Sequence, residues 1–387
     1  MRVAFCAALI ISTYGDMIQR VDVVLAALAD VTRDARTVNL ARALTSAGLS
    51  VAVLGSYAER LDEQFIQVCW RDPGGRALKR WWSFTRFCAA TDLAASVVIA
   101  MDVFALAGSL RIARRSKARL MYDMRELNFA LGPLQGKGLK QSIITRHEER
   151  SLKFVEAVLV SGELDADIVM DRFALTKRPV VLLNTPPYKD VVESPLRNDC
   201  NLETPTPLVI YQGVVHHGRG LAPFFHAMRL MPELHLAVLG DGPATSELRR
   251  IATQLGIAGR VHWLGSVPYD KLHAYTCGAD LGLCLIEPLS LSYEYALPNK
   301  LFEYMNARIP SLVTDLPAMR QHIERYPVGG LVDRTLQAQD IADMTRHLLH
   351  NETSEMMKLA CESIKDLAYD KQSAAACALI RNAVKAT

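Results

Sequence analysis

The chain contains 387 residues, of which 50% are hydrophobic and 22% are charged, and its formal net charge is +3. This length favours two domains over one, and the apolar content gives each a full core, which excludes a largely disordered chain. Eight cysteines are scattered without a Cys-x-x-Cys pair, which indicates a reducing compartment and argues against a disulfide framework or a zinc site.

Positive charge is concentrated in the first half of the chain. Residues 1–190 carry 26 Lys or Arg and 20 Asp or Glu, whereas residues 191–387 carry 18 and 21. This asymmetry indicates that the first half meets something anionic.

The N-terminal stretch, Met1 to Ile11, has the charge and the apolar run of a signal peptide. No small-x-small cleavage site follows it before Thr13, so a strand or an extension outside the fold is the alternative. The most apolar stretch, Leu93 to Leu110, is interrupted by Asp102 and predicts a strand, a turn and a helix rather than a membrane span.

The chain opens with a βαβ pattern. An apolar run over Val23 to Ala29, a helical pattern over Thr37 to Ala47 and a strand over Ser50 to Gly55 predict a parallel sheet. The first loop carries Asp34 and Arg36, and such loops line the crevice at the carboxyl ends of strands, where ligands bind. The alternative is a helix cap at Asp34 and a solvated Arg36.

Residues 71–90 interleave basic and aromatic side chains. On a helix, one stripe holds basic residues and another holds aromatic ones; the two stripes are Arg76, Lys79 and Arg80, and Trp81, Phe84 and Phe87. Adjacent basic and aromatic faces suit an anionic membrane surface. The alternative is an amphipathic helix that packs its aromatic rings on the sheet. Nucleic acid fits less well, because no binding motif accompanies the basic residues.

Polar residues also follow the next predicted strands. Asp102 ends the strand that begins at Ser96, and the strand Arg119 to Tyr122 runs into Arg125 and Glu126. A glycine-bounded stretch, 132–138, predicts a mobile loop before a long helix over Leu139 to Phe154. Residues 186–207 contain five prolines and no clear periodicity, which predicts an interdomain linker.

The second half repeats the alternation of strands and helices. Strands are predicted over 208–211, 234–239, 261–264, 281–286 and 311–313, and helices over 221–231, 244–255, 269–275, 338–350, 353–366 and 371–384.

A further helix is predicted to begin at Pro298 and Asn299. Proline suits a first-turn position, and the asparagine side chain is suited to satisfy one of the first N–H groups of a helix. Leu301, Phe302 and Met305 give this helix an apolar face.

Two charged residues lie in the first turns of this helix. A helix N-terminus attracts anions, and Lys300 adds a positive charge beside it. The carboxylate of Glu303 is a natural acceptor for sugar hydroxyls. A phosphate next to a diol describes a nucleotide, and the alternative is an ordinary surface helix that starts with proline.

The stretch Pro298 to Met305, followed by Ile309-Pro310 and a strand, resembles the nucleotide-sugar site of the family 4 retaining glycosyltransferases, which have the GT-B fold. Three more stretches agree in order and spacing: Tyr211-Gln212-Gly213 with Arg219-Gly220-Leu221, then Gly240-Asp241-Gly242-Pro243, then Gly265-Ser266-Val267-Pro268 with Ala279-Asp280-Leu281-Gly282. The resemblance covers the C-terminal half well and the N-terminal half loosely.

The resemblance implies an α/β protein with two Rossmann-like domains facing across a cleft. The acceptor domain is expected over residues 1–186, a linker over 187–207 and the nucleotide-sugar domain over 208–368. A C-terminal helix over 369–387 is expected to cross back to the first domain.

The resemblance also implies the site residues. Arg219, Lys300 and Glu303 are expected to be catalytic, with Arg219 stabilising charge on the leaving diphosphate and Glu303 holding the ribose. Donor-binding residues are expected at Gly213, Gly240, Asp241, Gly242, Tyr295, Pro298, Asn299 and Leu301. Acceptor-side residues are expected at Asp34, Arg36, Asp102, Arg125 and Glu126.

Three positions depart from the family pattern. Val214 stands where the family has a second phosphate-binding Arg, Tyr295 where it has the first Glu of a pair, and Arg125 where it often has His. Glu287 and Ser292 are weaker candidates in the same loop as Tyr295.

No metal site is expected. Asp165 and Asp167 form an Asp-x-Asp pair, but they open a helix, where acidic residues complement the dipole. His216 and His217 are adjacent, so they face different ways, and no third ligand supports them.

The expected reaction is therefore sugar transfer from a nucleotide-diphosphate sugar to a sugar or lipid-linked acceptor, in polysaccharide or glycolipid assembly. It needs no metal or other cofactor, and the family's mechanism retains anomeric configuration. The expected location is the cytoplasm, with contact to the inner membrane surface through residues 71–90. A sugar-nucleotide epimerase and a non-catalytic nucleotide-binding scaffold are the alternatives.

Overall fold

The structure is a computed structural model, and it describes residues 19–130, 138–203 and 205–387. The predictions for Met1 to Ile11 and for the loop at 132–137 lie outside these residues.

The chain divides into two compact units. The first comprises the chain up to Tyr122, Lys153–Glu156 and Leu379–Thr387, and the second comprises Asp123–Leu152 and Ala157–Ala378. The domain boundaries at 186, 207 and 368 stay predictions.

Within the described residues, the first sheet has seven strands in the order β3-β2-β1-β4-β5-β6-β7. Their bounds are Gln19–Asp30 (β1), Val51–Ser56 (β2), Ile66–Cys69 (β3), Leu93–Ala100 (β4), Arg119–Met124 (β5), Ala157–Val160 (β6) and Val180–Val181 (β7). The central strand β1 pairs in parallel on both sides, with Val23 opposite Val51 and Val97. A strand that is covered on both faces reads as a continuous apolar run, which is why Val23 to Ala29 was recognisable in the sequence.

In the part of the chain that the structure describes, five α-helices accompany these strands. They are Ala35–Ser46 (α1), Ala77–Ala90 (α2), Leu106–Ser116 (α3), Gly138–Leu152 (α4) and Glu163–Phe173 (α5). The carboxylate of Asp34 caps α1, because it accepts hydrogen bonds from the Thr37 amide at 3.2 Å and the Thr37 hydroxyl at 2.6 Å. Arg36 is only 3% exposed, so the interpretation of a solvated Arg36 is wrong.

Helix α2 combines a packed face with an exposed face. Phe84 is fully buried, and its ring centroid lies 5.2 Å from that of the buried Trp70. Trp82, by contrast, is 62% exposed, and the Arg86 guanidinium lies 4.6 Å from its ring centroid. The burial of Phe84 agrees with an amphipathic helix, and its ring contacts Trp70, the residue after β3, while Trp82 lies on the surface.

The second sheet has six strands in the order β10-β9-β8-β11-β12-β13. Their bounds are Leu208–Gln212 (β8), His235–Leu239 (β9), Val261–Gly265 (β10), Leu281–Cys284 (β11), Ser311–Thr314 (β12) and Gly329–Val332 (β13). The described pairings in this sheet are parallel. The predicted α/β class with two Rossmann-like sheets is confirmed.

The remaining helices lie around and after these strands. They are Leu196–Asp199 (α6), Leu221–Met228 (α7), Thr245–Gln254 (α8), Tyr269–Thr276 (α9), Leu291–Glu294 (α10), Asn299–Asn306 (α11), Pro317–Arg325 (α12), Ala338–Leu349 (α13), Asn351–Ala360 (α14), Ile364–Leu367 (α15) and Tyr369–Lys385 (α16). Among the described residues, no helix has both the length and the apolar character needed to cross a bilayer.

The end of α16 belongs to the first unit, in agreement with the expected return of this helix. The Arg381 guanidinium donates a hydrogen bond to the Ala47 carbonyl at 3.1 Å. Ile380 is fully buried and Ala383 is 4% exposed. Residues from both ends of the described chain therefore complete one unit.

Candidate functional site

The candidate site lies where the strand order of the second sheet reverses. Strands β8 and β11 are neighbours there, and open parallel sheets bind ligands outside the carboxyl ends of strands at such a switch point. Helix α11 is fixed across these strands by Tyr304. Its buried hydroxyl lies 3.3 Å from the Ile210 carbonyl and 3.1 Å from the Leu283 carbonyl.

The sequence of α11 explains its placement. Leu301, Phe302 and Met305 are all at most 1% exposed and pack into the core, as predicted. Leu301 can therefore meet a donor only through its backbone. Pro298 precedes the first turn, and no side chain caps it. The prediction that Asn299 caps the helix is wrong, because Asn299 already lies within the first turn.

Lys300 projects from this uncapped first turn. Its Nζ lies 3.9 Å from the centroid of the Tyr211 ring, a cation–π contact. Loss of hydration lowers the pKa of Lys300 to about 8, with Arg219 adding to the effect and Cys284 and Glu303 opposing it. The site thus weakens the charged form of Lys300, but with a pKa of about 8 the side chain is still mostly an ammonium at pH 7.

Arg219 contacts Tyr293, and Glu287 holds the two glycines that flank Arg219. The Arg219 guanidinium lies 4.9 Å from the centroid of the Tyr293 ring. The amide of Gly220 lies 3.3 Å from the Glu287 carboxylate, and the Glu287 amide donates to the Gly218 carbonyl at 3.1 Å. Gly220 has φ +71°, and a Cβ there would collide with the backbone of Leu285. The loop that presents Arg219 is therefore tightly fixed.

Glu303 places a carboxylate, which accepts hydrogen bonds, at the candidate site. It accepts a hydrogen bond from the Gln212 side-chain amide. Burial raises the pKa of Glu303, while the Gln212 hydrogen bond and the charge of Lys300 act in the opposite direction. Gln212 was read in the sequence only as part of a motif, because nothing local shows that it meets a residue on α11.

Two loops that contain glycine follow β8 and β9. The Gly213 amide donates to the Leu239 carbonyl at 2.9 Å. Gly240 has φ +146°, and a Cβ there would collide with the Gly213 carbonyl, so only glycine fits. Asp241 is exposed and accepts from the Gly242 amide at 2.8 Å and the Thr245 hydroxyl at 2.6 Å, which hold the pKa of Asp241 below its usual value. In this structure Asp241 thus organises the start of α8.

The two donor-side departures lie beside these groups. Val214 is 60% exposed, and its carbonyl accepts from the Tyr211 hydroxyl at 2.8 Å. Tyr295 is half-buried at the end of α10, and the neighbouring Glu294 pairs with Arg334 at 3.0 Å. Among the described residues, Lys300 contacts the Tyr211 ring and the charge of Arg219 acts on Tyr211.

The acceptor-side candidates have local structural contacts. In the first unit, the Asp102 carboxylate lies 3.3 Å from the Leu28 amide and accepts from the Ala105 amide at 2.8 Å. In the second unit, Arg125 Nε lies 3.4 Å from a carboxylate oxygen of the fully buried Asp123, while Glu126 is exposed. Acceptor roles for these residues, and for Asp34 and Arg36, stay predictions.

The Asp-x-Asp pair begins α5, as expected. The Ser161 hydroxyl donates to Asp165 at 3.0 Å, and Asp167 pairs with Arg178. Both acidic residues therefore take part in local contacts at the helix start.

Comparisons with known proteins identify the family of one part of the chain and similar folds. Residues 179–365 match the model of the family described as glycosyl transferases group 1. No curated protein sequence matches the chain. Sucrose-phosphate synthase from Thermosynechococcus elongatus is similar in structure, with a TM-score of 0.75 and 14% identity over 95% of this chain and 100% of that one.

Two further solved structures share the fold. Anabaena HepE, in complex with UDP-glucose, has a TM-score of 0.70 and 14% identity, covering 95% of this chain and 98% of that one. A protein named as a UDP-N-acetylglucosamine 2-epimerase from Listeria monocytogenes has a TM-score of 0.61 and 14% identity, covering 95% and 96%.

The fold and the switch-point site define a GT-B protein. Residues 179–365 are similar to the family of glycosyl transferases group 1, and the solved structures share the fold of the chain. The resemblance to GT-B glycosyltransferases is thereby confirmed.

Proposed function

We propose that the chain transfers a sugar from a nucleoside diphosphate sugar to an acceptor hydroxyl, with retention of anomeric configuration. The observation that carries the proposal is the convergence of Arg219, Lys300 and Glu303 where β8 and β11 end. Two cations beside an acceptor carboxylate match a diphosphate beside a ribose diol. The relative HepE binds UDP-glucose, which makes UDP the first nucleotide to test.

Each of the three residues has a distinct role in this proposal. Glu303 accepts hydrogen bonds from the ribose hydroxyls, and Lys300 meets the diphosphate at the uncapped start of α11. Arg219 stabilises the charge that develops on the leaving diphosphate. The bond between the anomeric carbon and the phosphate oxygen breaks as the acceptor oxygen attacks from the same face. The proton of the acceptor hydroxyl leaves with the diphosphate. The charge of the diphosphate is stabilised by Arg219 and Lys300 without a metal ion.

The test is a thermal-shift titration with UDP and other nucleoside diphosphates. A ligand that binds only the folded state raises the melting temperature in proportion to its affinity. We expect Glu303→Ala and Arg219→Ala each to weaken UDP at least about 10-fold, since a hydrogen bond to a charged group is worth about 1.5–3 kcal/mol. Glu324→Ala and Arg346→Ala, whose side chains are 60% and 47% exposed, are matched controls that keep wild-type affinity.

The same titration separates the alternatives. Absence of a shift with every nucleoside diphosphate would contradict the proposal. Turnover of the donor without an acceptor would favour an epimerase, the activity that the name of one structural relative suggests. Tight nucleotide binding without transfer to any acceptor would favour a scaffold.

The acceptor in this proposal is presented at an anionic membrane surface, in polysaccharide or glycolipid assembly on the cytoplasmic side. The support is the exposed face of α2, where Leu78 and Trp82 are 71% and 62% exposed. Lys79 and Arg86 flank them and are exposed as well. Apolar side chains bordered by cations suit the headgroup region of anionic lipid.

A further inference from the structure

We propose that Gln212 and Thr276 are positioning residues that hold the Glu303 carboxylate, and that the Gln212 amide turns over when Glu303 changes protonation state. The role in nucleotide binding rests on the proposed function. The hydrogen-bond chain itself does not, because it exists without a ligand.

Three separate elements contribute side chains to this series of hydrogen bonds. Gln212 ends β8 and is 2% exposed, and Thr276 ends α9 and is 1% exposed. The Gln212 amide nitrogen donates to Glu303 on α11. The Thr276 hydroxyl lies 2.8 Å from the Gln212 amide oxygen and 2.8 Å from the Leu272 carbonyl.

Counting the protons that can be donated shows that this hydrogen-bond chain has two arrangements in which the polar side-chain groups have partners. An ionised Glu303 only accepts, so Gln212 must turn its NH₂ group toward it. The amide oxygen of Gln212 then faces Thr276 and accepts the single hydroxyl proton. In this arrangement Glu303 is held with its remaining acceptor capacity available to hydroxyl groups.

When Glu303 is protonated, the direction of donation along these hydrogen bonds reverses. The Glu303 carboxyl group now donates, so the Gln212 amide turns by half a revolution and presents its oxygen. The NH₂ group then donates to the Thr276 oxygen, and the Thr276 proton goes to the Leu272 carbonyl. Neither arrangement leaves a buried polar atom of these side chains without a partner, and unpaired buried polar atoms are costly.

The charge on Glu303 responds to the groups around it. Lys300 on the same helix and Lys189 favour the ionised form, as does the Gln212 hydrogen bond, whereas burial disfavours it. Removing the Gln212 amide therefore raises the pKa of Glu303 further. Below that pKa the carboxyl group is protonated and loses part of its acceptor capacity for a diol.

The first experiment measures UDP affinity by calorimetry across acidic and neutral pH. Gln212→Met keeps the length of the side chain and removes its amide. We expect its affinity to fall at a higher pH than in the wild type, by about one pH unit, with about 10-fold weaker binding at acidic pH. Thr276→Val shifts the fall in the same direction by less, and Thr276→Ser restores the wild-type profile.

A matched variant removes the contribution of the ligand. Residue 303 cannot titrate in Glu303→Gln, so the profile of this variant reports the phosphate ionisation of UDP and the titration of the other protein groups, Lys300 among them. If wild-type protein binds UDP but Gln212→Met follows the wild-type pH profile, the inference is overturned while the proposed function stands. If wild-type protein binds no nucleoside diphosphate at any pH, the proposed function fails.

The second experiment needs neither ligand nor a destabilising variant. The side-chain amide resonances of Gln212 in unliganded wild-type protein are followed by NMR as pH is lowered. We expect them to move with the titration of Glu303, and to be independent of pH in Glu303→Gln. Resonances that do not respond to Glu303 would show that Gln212 and Thr276 merely join β8 to α9.

Discussion

Lys300 ties anion binding to pH. Its pKa is lowered to about 8, mainly by loss of hydration, so the cation is lost as pH rises through that value. We expect UDP affinity of the wild type to fall between pH 7 and pH 9. In Lys300→Arg the fall disappears, because a guanidinium stays protonated. Lys300→Met binds about 10- to 150-fold more weakly at pH 7, the loss of one charge-assisted hydrogen bond.

Calorimetric titration at the two pH values checks this expectation. Lys271→Met, at an exposed position on α9, is the control and should behave as the wild type. The pH dependence of the stability of the unliganded protein provides an independent test of the lowered pKa. A lysine whose folded pKa lies below its unfolded value adds stability as pH rises from about 8 toward 10.5. A wild-type fall in affinity that persists in Lys300→Met would assign it to another group.

The site residues differ in how visible they are in the sequence. Lys300 and Glu303 lie three apart in one helix pattern, which suggested an anion beside a diol, and the family resemblance then implied their roles. Gln212 and Thr276 reach Glu303 only because the sheet brings β8, α9 and α11 together, and no local pattern encodes that contact. Asn299 was misjudged because the residue before it, Pro298, occupies the position at which a cap acts.

Helix α2 carries the prediction about membranes. Neutralising two cations on its exposed face, in Lys79→Gln/Arg86→Gln, should weaken binding to vesicles that contain phosphatidylglycerol. The expected loss is about 30-fold, since each Lys or Arg near an anionic surface contributes about 1 kcal/mol. Trp82→Ser should also weaken binding, through lost burial of the ring. Co-sedimentation with vesicles measures both effects.

The experiment on α2 has two controls, a double variant with the same change in charge and vesicles without anionic lipid. Arg60→Gln/Lys117→Gln removes the same net charge from exposed positions in the same unit and should leave binding unchanged. Vesicles of phosphatidylcholine alone should bind little of any variant. Equal binding to both vesicle types, or equal loss in both double variants, would rule out a specific lipid-facing surface on α2.

Elements with a clear hydrophobic pattern were predictable, and elements without one were not. The helices predicted over 244–255 and 269–275 match the observed Thr245–Gln254 and Tyr269–Thr276 closely. The strand β3 is only partly buried and carries little pattern. The strand β13 begins with Gly329 and Gly330, residues that are unfavourable in isolated strands. Such elements form because a neighbouring strand is already in place.

The first unit depends on residues far along the chain. Ile380 is fully buried and belongs to this unit. Ile380→Ala should destabilise the unit by about 2–5 kcal/mol, the usual cost of such a core truncation. Hydrogen exchange should show faster exchange in β1 and β4, with β8 and β9 unchanged. The exposed neighbour Asn382→Ala is the control, and equal loss of protection in both units would contradict the prediction.

The contribution of α16 to the first unit has a consequence for biosynthesis. At about 5–20 residues per second, a ribosome needs roughly 10–50 s to make the residues between Tyr122 and Leu379. Throughout that interval the nascent first unit lacks Ile380 and Ala383, and part of its apolar interior is uncovered. The order of maturation is therefore reversed, with the unit translated first completed last, and the nascent chain offers a surface for chaperones until α16 emerges.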